Sequence, residues 1–171
     1  MRTIVFFICF LLLILTSCKP EVERVEVIYP NHSFFIGQSL TDFKKECNCH
    51  LEEPDNDGGR KGERYFTFKD SLDGTVTSNA FMVFYKDVLV SFQSTFSAID
   101  SRYNMHSWMR KHYSEIANRS QSNKSVSEKD FVQTVKIGNS YTSLQLSKSY
   151  LNIPFLHYLV GDYRFKQVDW D

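Results

Sequence analysis

Seventeen residues from Ala80 to Phe96, AFMVFYKDVLVSFQSTF, carry only two charges, and these stand together as Lys86-Asp87. The runs on either side, AFMVFY and VLVSFQ, have strand length and are rich in Phe and Val, residues that suit a pleated, half-buried surface. The pattern predicts two strands joined by a tight turn, although the turn lacks the Gly usual in such hairpins. With 15 Phe, 9 Tyr and 2 Trp among 171 residues, the chain has ample material to offset the entropy of folding, which excludes disorder. Its length suits one core better than two.

The flanking segments extend this pattern. Val25, Val27 and Tyr29 alternate with Glu26 and Ile28, giving a first strand ended by Pro30. Arg64–Lys69 alternates and leads into the turn residues 70–74. FVQTVKI and SYTSLQL flank Gly138-Asn139, and FLHYLV and YRFKQV flank Gly161-Asp162; both pairs read as hairpins. Ser39, with Asp42 three residues on, resembles a capping box in which Asp replaces Glu. Leu40, Phe43 and Cys47 then form one helical stripe. A second helix is expected over 101–118, with Met105, Trp108, Met109, His112 and Ile116 on its apolar side. Residues 52–64 and 119–127 are polar connectors. The expectation is an α+β domain over 34–171: an antiparallel sheet of seven or eight strands with two helices packed on one face. The order of helix then hairpins occurs twice, at 38–96 and 101–169, as in a degenerate repeat.

The N-terminus is a different object. Arg2 precedes twelve uninterrupted apolar residues, Ile4 to Leu15. As a helix they would span roughly 18 Å, short of the ~30 Å hydrocarbon core, so a cleaved targeting segment is expected. The run closes on Leu15-Thr16-Ser17-Cys18, which resembles the lipobox of bacterial lipoproteins. The resemblance covers residues 1–18. It implies a signal peptide over 1–17, acylation of Cys18, a tether over 18–33 and attachment to a bacterial cell envelope. Each buried methylene contributes about 0.8 kcal/mol, so two or three acyl chains anchor a domain stably. Lys19 follows the anchor where Asp would resemble an inner-membrane retention signal, which favours the outer membrane. The Gly37-x-Ser39 start, short helix and hairpin with a charged turn are similar, at the level of topology, to small outer-membrane-assembly and lactamase-inhibitor-like lipoproteins.

Without residues 1–17 the chain keeps 19 Lys+Arg against 20 Asp+Glu. Near-neutrality, with pI about 7.0, leaves no basic footprint for nucleic acid. Cys47-Asn48-Cys49-His50 is the most chemically suggestive cluster. Two thiolates and an imidazole suit Cu(I), or Zn(II) with one more ligand; packing of Cys47 beneath the helix, or a reducible Cys47–Cys49 disulfide, is the competing account. Glu53-Pro54-Asp55-Asn56-Asp57-Gly58 opens like an EF-hand loop, but Arg64 stands where a bidentate Glu belongs, so it reads as an acidic turn. His106 and His112 lie on different sides of their helix and cannot share an ion. No nucleophile elbow, zinc helix, phosphate loop or dinucleotide glycine set occurs. The expected role is a lipid-anchored, non-catalytic module without a cofactor that binds another envelope protein. Soft-metal or redox handling through Cys47, Cys49 and His50, and an envelope hydrolase assembled only in three dimensions, are the alternatives.

Overall fold

The structure is a computed structural model that describes residues 21–54, 60–119, 131–137, 140–148 and 153–165. Its strands are β1 (Val25–Tyr29), β2 (His32–Ile36), β3 (Glu63–Leu72), β4 (Val76–Tyr85), β5 (Val88–Ala98), β6 (Phe131–Ile137), β7 (Ser140–Lys148) and β8 (Pro154–Asp162). The helices are α1 (Leu40–Glu46) and α2 (Met105–Arg119), and a 3₁₀ turn covers Tyr163–Phe165. Lys86 and Asp87 both hold positive φ, +49° and +63°. This primed geometry matches the strand twist, and here it is reached without glycine.

The architecture is α+β and mostly β, in two antiparallel sheets. One sheet of seven or eight strands was expected; six strands form a sheet ordered β3-β4-β5-β8-β7-β6, and β1 and β2 form a separate hairpin. The hairpin lies across the large sheet. Ile28 N–H donates to the Tyr158 hydroxyl at 3.1 Å, and Tyr29 packs its ring on Phe68, Phe92 and Phe96. The alternation that marks β1 as a strand contains nothing about which strand it pairs with, so sheet membership escaped the sequence. Residues 25–29 of the expected tether are this core strand, with Val27 and Tyr29 buried.

A second departure concerns Gly161-Asp162, expected as a turn. Both continue β8, Gly161 opposite Ser91 and Tyr141 and Asp162 opposite Ser140. The β4–β5 register shifts at Val83/Phe84, where Val83 faces Ser91 and Phe84 faces Leu89, so Val90 is the extra residue of a bulge. A Cβ at position 161 would stand 2.9 Å from the Val90 carbonyl oxygen and 3.2 Å from Ser91 Cα. Glycine is there because backbone approaches backbone. The partner strand expected over 163–168 is a 3₁₀ turn as far as residue 165, beyond which it lies outside the described residues.

Helix α1 is capped as expected at its first turn: Asp42 N–H donates to Ser39 Oγ at 3.1 Å. The reciprocal bond differs, because the Ser39 hydroxyl donates to the Asp42 carboxylate at 2.6 Å instead of Asp42 reaching the cap's backbone. In α2, Asn104 takes the equivalent role, its Oδ1 accepting from Ser107 N–H at 3.0 Å. Each helix is followed by three antiparallel strands, and the third strands, β5 and β8, pair with each other at the sheet centre. Ser39 and Asn104, Phe43 and Trp108, Met82 and Leu146, and Phe92 and Leu156 hold matching places, a spacing of about 65 residues.

One face of the large sheet carries Phe66, Phe68, Met82, Phe84, Phe92, Phe96, Leu144, Leu156 and Tyr158. The β1–β2 hairpin and both helices cover it, contributing Tyr29, Phe34, Phe43, Met105, Trp108 and Tyr113 to the same core. Helix α2 breaks its own dihedral pattern at Tyr113 (φ −127°, ψ 25°), where the ring turns inward between Phe96, Trp108 and Tyr158. No helix among the described residues is long and apolar enough to cross a membrane.

Candidate functional site

Among the described residues the hairpin and both helices lie on one face of the large sheet, and the other face, part-covered at one end by Val22 and Phe165, carries a groove over β5, β8 and β7. Period-2 alternation puts Gln93 and Thr95 of β5, Phe155, His157 and Leu159 of β8, and Ser143 and Gln145 of β7 on that face. The register sets them in ranks: Gln93, Leu159 and Ser143 across one line, then Thr95, His157 and Gln145 across the next. Together with Phe155 these residues line a groove of about 450 Å³.

The described lining residues bring side-chain amides, hydroxyls, one imidazole, one phenyl ring and one leucine, and none of them is formally charged. His157 Nδ1 and Thr95 Oγ1 are 2.8 Å apart, a cross-strand hydrogen bond. The Phe155 ring meets the imidazole edge-on at 4.9 Å. Burial disfavours the imidazolium and holds the His157 pKa below its ordinary 6.5, so the ring is neutral near pH 7.

Below the groove, at the end of the sheet where β4 turns into β5, Tyr65, Val83 and Val90 form a small second apolar cluster with Val22, Tyr85 and Phe165 packed against it. The Asp162 side chain is buried and accepts from the Arg164 backbone N–H at 2.9 Å and from its guanidinium Nη2 at 2.5 Å. Burial pulls the Asp162 pKa upward, but the bonds from Arg164 outweigh it and leave the carboxyl below its ordinary 3.8.

The described residues among those singled out in the sequence lie elsewhere. Cys18 is outside the described residues. Cys47 and Cys49 are joined as a disulfide at the end of α1. Cys47 is buried with Leu40 and Phe43, the expected stripe, whereas His50 is exposed. A disulfide sulfur is not a thiolate, so metal binding here requires reduction of that bond. Among the described residues no group of three or more Cys, His, Asp or Glu side chains converges. Glu53 is held by the Arg64 fork through two bonds of 2.8 Å; residues 55–59 of the EF-hand-like stretch lie outside the described residues. His106 is exposed, and His112 stacks on Trp108 with centroids 4.6 Å apart.

The groove itself was missed. Its one sequence signal is in FLHYLV, where Phe155 and Leu159 alternate out of phase with Leu156, Tyr158 and Val160. A strand apolar on both faces reads as fully buried, and the sequence does not say which part of a face the covering segments leave as a groove. No protein-family model, curated protein or solved structure matches the chain.

Proposed function

We propose that this is a lipid-anchored bacterial envelope protein, acylated at Cys18, which acts without catalysis by holding an uncharged segment of another envelope protein in the open-face groove. The observation that carries the reading is the groove: Phe155 and Leu159 are part-exposed there beside amides and hydroxyls of β5, β7 and β8, with no charge among the described lining residues. Apolar area beside polar groups of either hydrogen-bonding sense is the composition of a protein-binding patch. The Thr95–His157 pair resembles part of a hydrolase constellation. However, the N–H groups of a sheet lie in its plane and are spent in the ladder, so its face has few donors to spare for an oxyanion.

The two helix-plus-three-strand units are read as a degenerate tandem repeat, and the similarity to assembly-type and inhibitor-type lipoproteins rests on Gly37, Ser39 and the order of helix and strands. Lys19 after the anchor, in place of Asp, favours attachment on the outer membrane. The test is a photo-crosslinking amino acid at position 155, with the same group at exposed Lys45 as control, in intact cells. A discrete adduct at 155 and none at 45 is expected. No adduct at 155, or equal adducts at both, defeats the proposal.

A further inference from the structure

The first described residues are fastened to the domain. The Glu21 carbonyl accepts from Arg164 Nη2 at 2.6 Å. Val22 packs against Tyr65, Val83 and Val90 with Tyr85 and Phe165, and its carbonyl oxygen lies 3.3 Å from the place a Cβ on Gly37 would take. Only Lys19 and Pro20 separate Glu21 from Cys18. Three residue steps reach roughly 10 Å when fully extended. If Cys18 carries lipid, this end of the sheet therefore stands within about that distance of the bilayer surface.

The same end is built for such a neighbour. Tyr85 and Phe165 form a part-exposed ring pair with centroids 5.1 Å apart. Lys86 Nζ stands 5.5 Å above the Tyr85 ring, and the Lys86 backbone N–H donates to the Gly62 carbonyl at 2.9 Å, next in the chain to exposed Lys61. Most carboxylates nearby are engaged. Glu63 accepts from the Tyr65 hydroxyl at 2.6 Å, Asp162 is held by Arg164 at 2.5 Å, and Asp87 stands 3.4 Å from Arg64. Glu23 accepts from Ser140 Oγ at 3.3 Å, and Glu21 is the exposed acid beside the tether. Lys61 and Lys86 stand in no ion pair among the described residues. Aromatic rings with cations beside them suit the headgroup layer, where each lysine near an anionic surface strengthens binding about fivefold.

We propose that the end of the sheet formed by Lys61, Tyr85, Lys86 and Phe165 lies against the anionic lipid surface that the Cys18 acyl chains enter, so that the strands stand away from the membrane. The inference rests on the lipoprotein reading. It fixes the geometry of the groove, whose ranks begin one step beyond the Tyr65–Val83–Ser91–Gly161–Tyr141 line. At about 7 Å per rank the groove runs outward, its Phe155 end roughly 20 Å beyond that line. A partner would be held beside the membrane, at a set height above it.

The test uses the full-length protein isolated in acylated form and reconstituted in phosphatidylethanolamine/phosphatidylglycerol vesicles containing a headgroup quencher. A fluorophore is placed on Lys61→Cys or Lys86→Cys, and separately on Asp73→Cys at the β3–β4 turn, roughly 30 Å away along the strands. The expected result is quenching several-fold stronger at 61 and 86 than at 73. Equal quenching at the two ends, or stronger quenching at 73, overturns the proposed orientation while leaving the anchor intact. The mass of the N-terminal peptide is measured on the same sample, and a peptide without acyl groups at Cys18 overturns the lipoprotein reading and the orientation with it.

Discussion

Two buried tyrosines on the same core should respond in opposite directions to the same substitution. Tyr113 and Tyr158 are both fully buried, their tilted rings in contact with centroids 5.0 Å apart. The Tyr158 hydroxyl accepts from Ile28 N–H at 3.1 Å, tying the β1–β2 hairpin to the large sheet. The Tyr113 hydroxyl has no hydrogen-bond partner. Burial, with Tyr158 and Tyr29 nearby, pushes its pKa well above the ordinary 10.0, as expected of a phenol in apolar surroundings. Replacing Tyr113 with Phe keeps the ring against Phe96, Trp108 and Tyr158 and removes only the desolvated oxygen. Leaving such a group unpaired costs about 1–3 kcal/mol, so Tyr113→Phe should raise stability by about that amount. Tyr158→Phe instead strands the Ile28 N–H and should lower stability by about 1–3 kcal/mol. The two variants should thus differ by about 2–6 kcal/mol, with roughly 2–4 °C of midpoint shift for each kcal/mol in a domain this size. Urea unfolding followed by far-UV circular dichroism measures both, with the slope of the transition checked for constancy. A Tyr113→Phe variant less stable than the parent by 1 kcal/mol or more would refute the account, because it would mean that the hydroxyl is bonded after all.

Gly161→Ala brings a Cβ to 2.9 Å from the Val90 carbonyl and 3.1 Å from the Tyr141 hydroxyl; overpacking of this kind costs about 1–3 kcal/mol, and an unchanged thermal midpoint would contradict it. Asp87→Gly relieves a residue held at φ +63°, a conformation that costs a non-glycine residue about 1–2 kcal/mol. The exposed Arg64 contact at 3.4 Å contributes under about 1 kcal/mol, so a net gain is expected, and a lower midpoint would count against the turn assignment. His112 and His157 are both held below 6.5 by burial, the neighbouring Lys111 adding to the effect at His112. Because the unfolded chain takes up protons that these folded imidazoles resist, their stability contribution is complete above pH 6.5 and is lost as pH falls from there toward the folded values. Asp162, lowered below 3.8, contributes above that pH and is lost as pH falls through its folded value. Denaturation midpoints should decline below pH 6.5 and decline again in the acid range; a flat profile from pH 7.5 to 5 would disprove the histidine part.

The aromatic hairpin, the Ser39 cap and the Leu40–Phe43–Cys47 stripe were legible in the chain because each depends on residues within one or two turns of one another. So was the succession of a helix and then strands, repeated. The Lys86-Asp87 break marked a turn, although its primed geometry without glycine appeared only in the backbone. The Leu15-Thr16-Ser17-Cys18 signal is also a purely local pattern, and it is the basis of the anchored reading. Gly161-Asp162 misled because its composition is that of a turn, while its glycine answers to a carbonyl on a strand some seventy residues away.

Sequence alone thus determined the sites of most chain reversals, the material of the core and the kind of most elements, though not the strand β2 or the 3₁₀ turn at Tyr163–Phe165. Tertiary structure decided that β1 and β2 form their own sheet, that β5 pairs with β8, and that hairpin and helices all cover the same face. From those choices comes the open groove around His157, and no local pattern encodes it. A strand's alternation sorts its side chains into two sets, but only the packing of distant segments determines which set is covered and which is left facing outward.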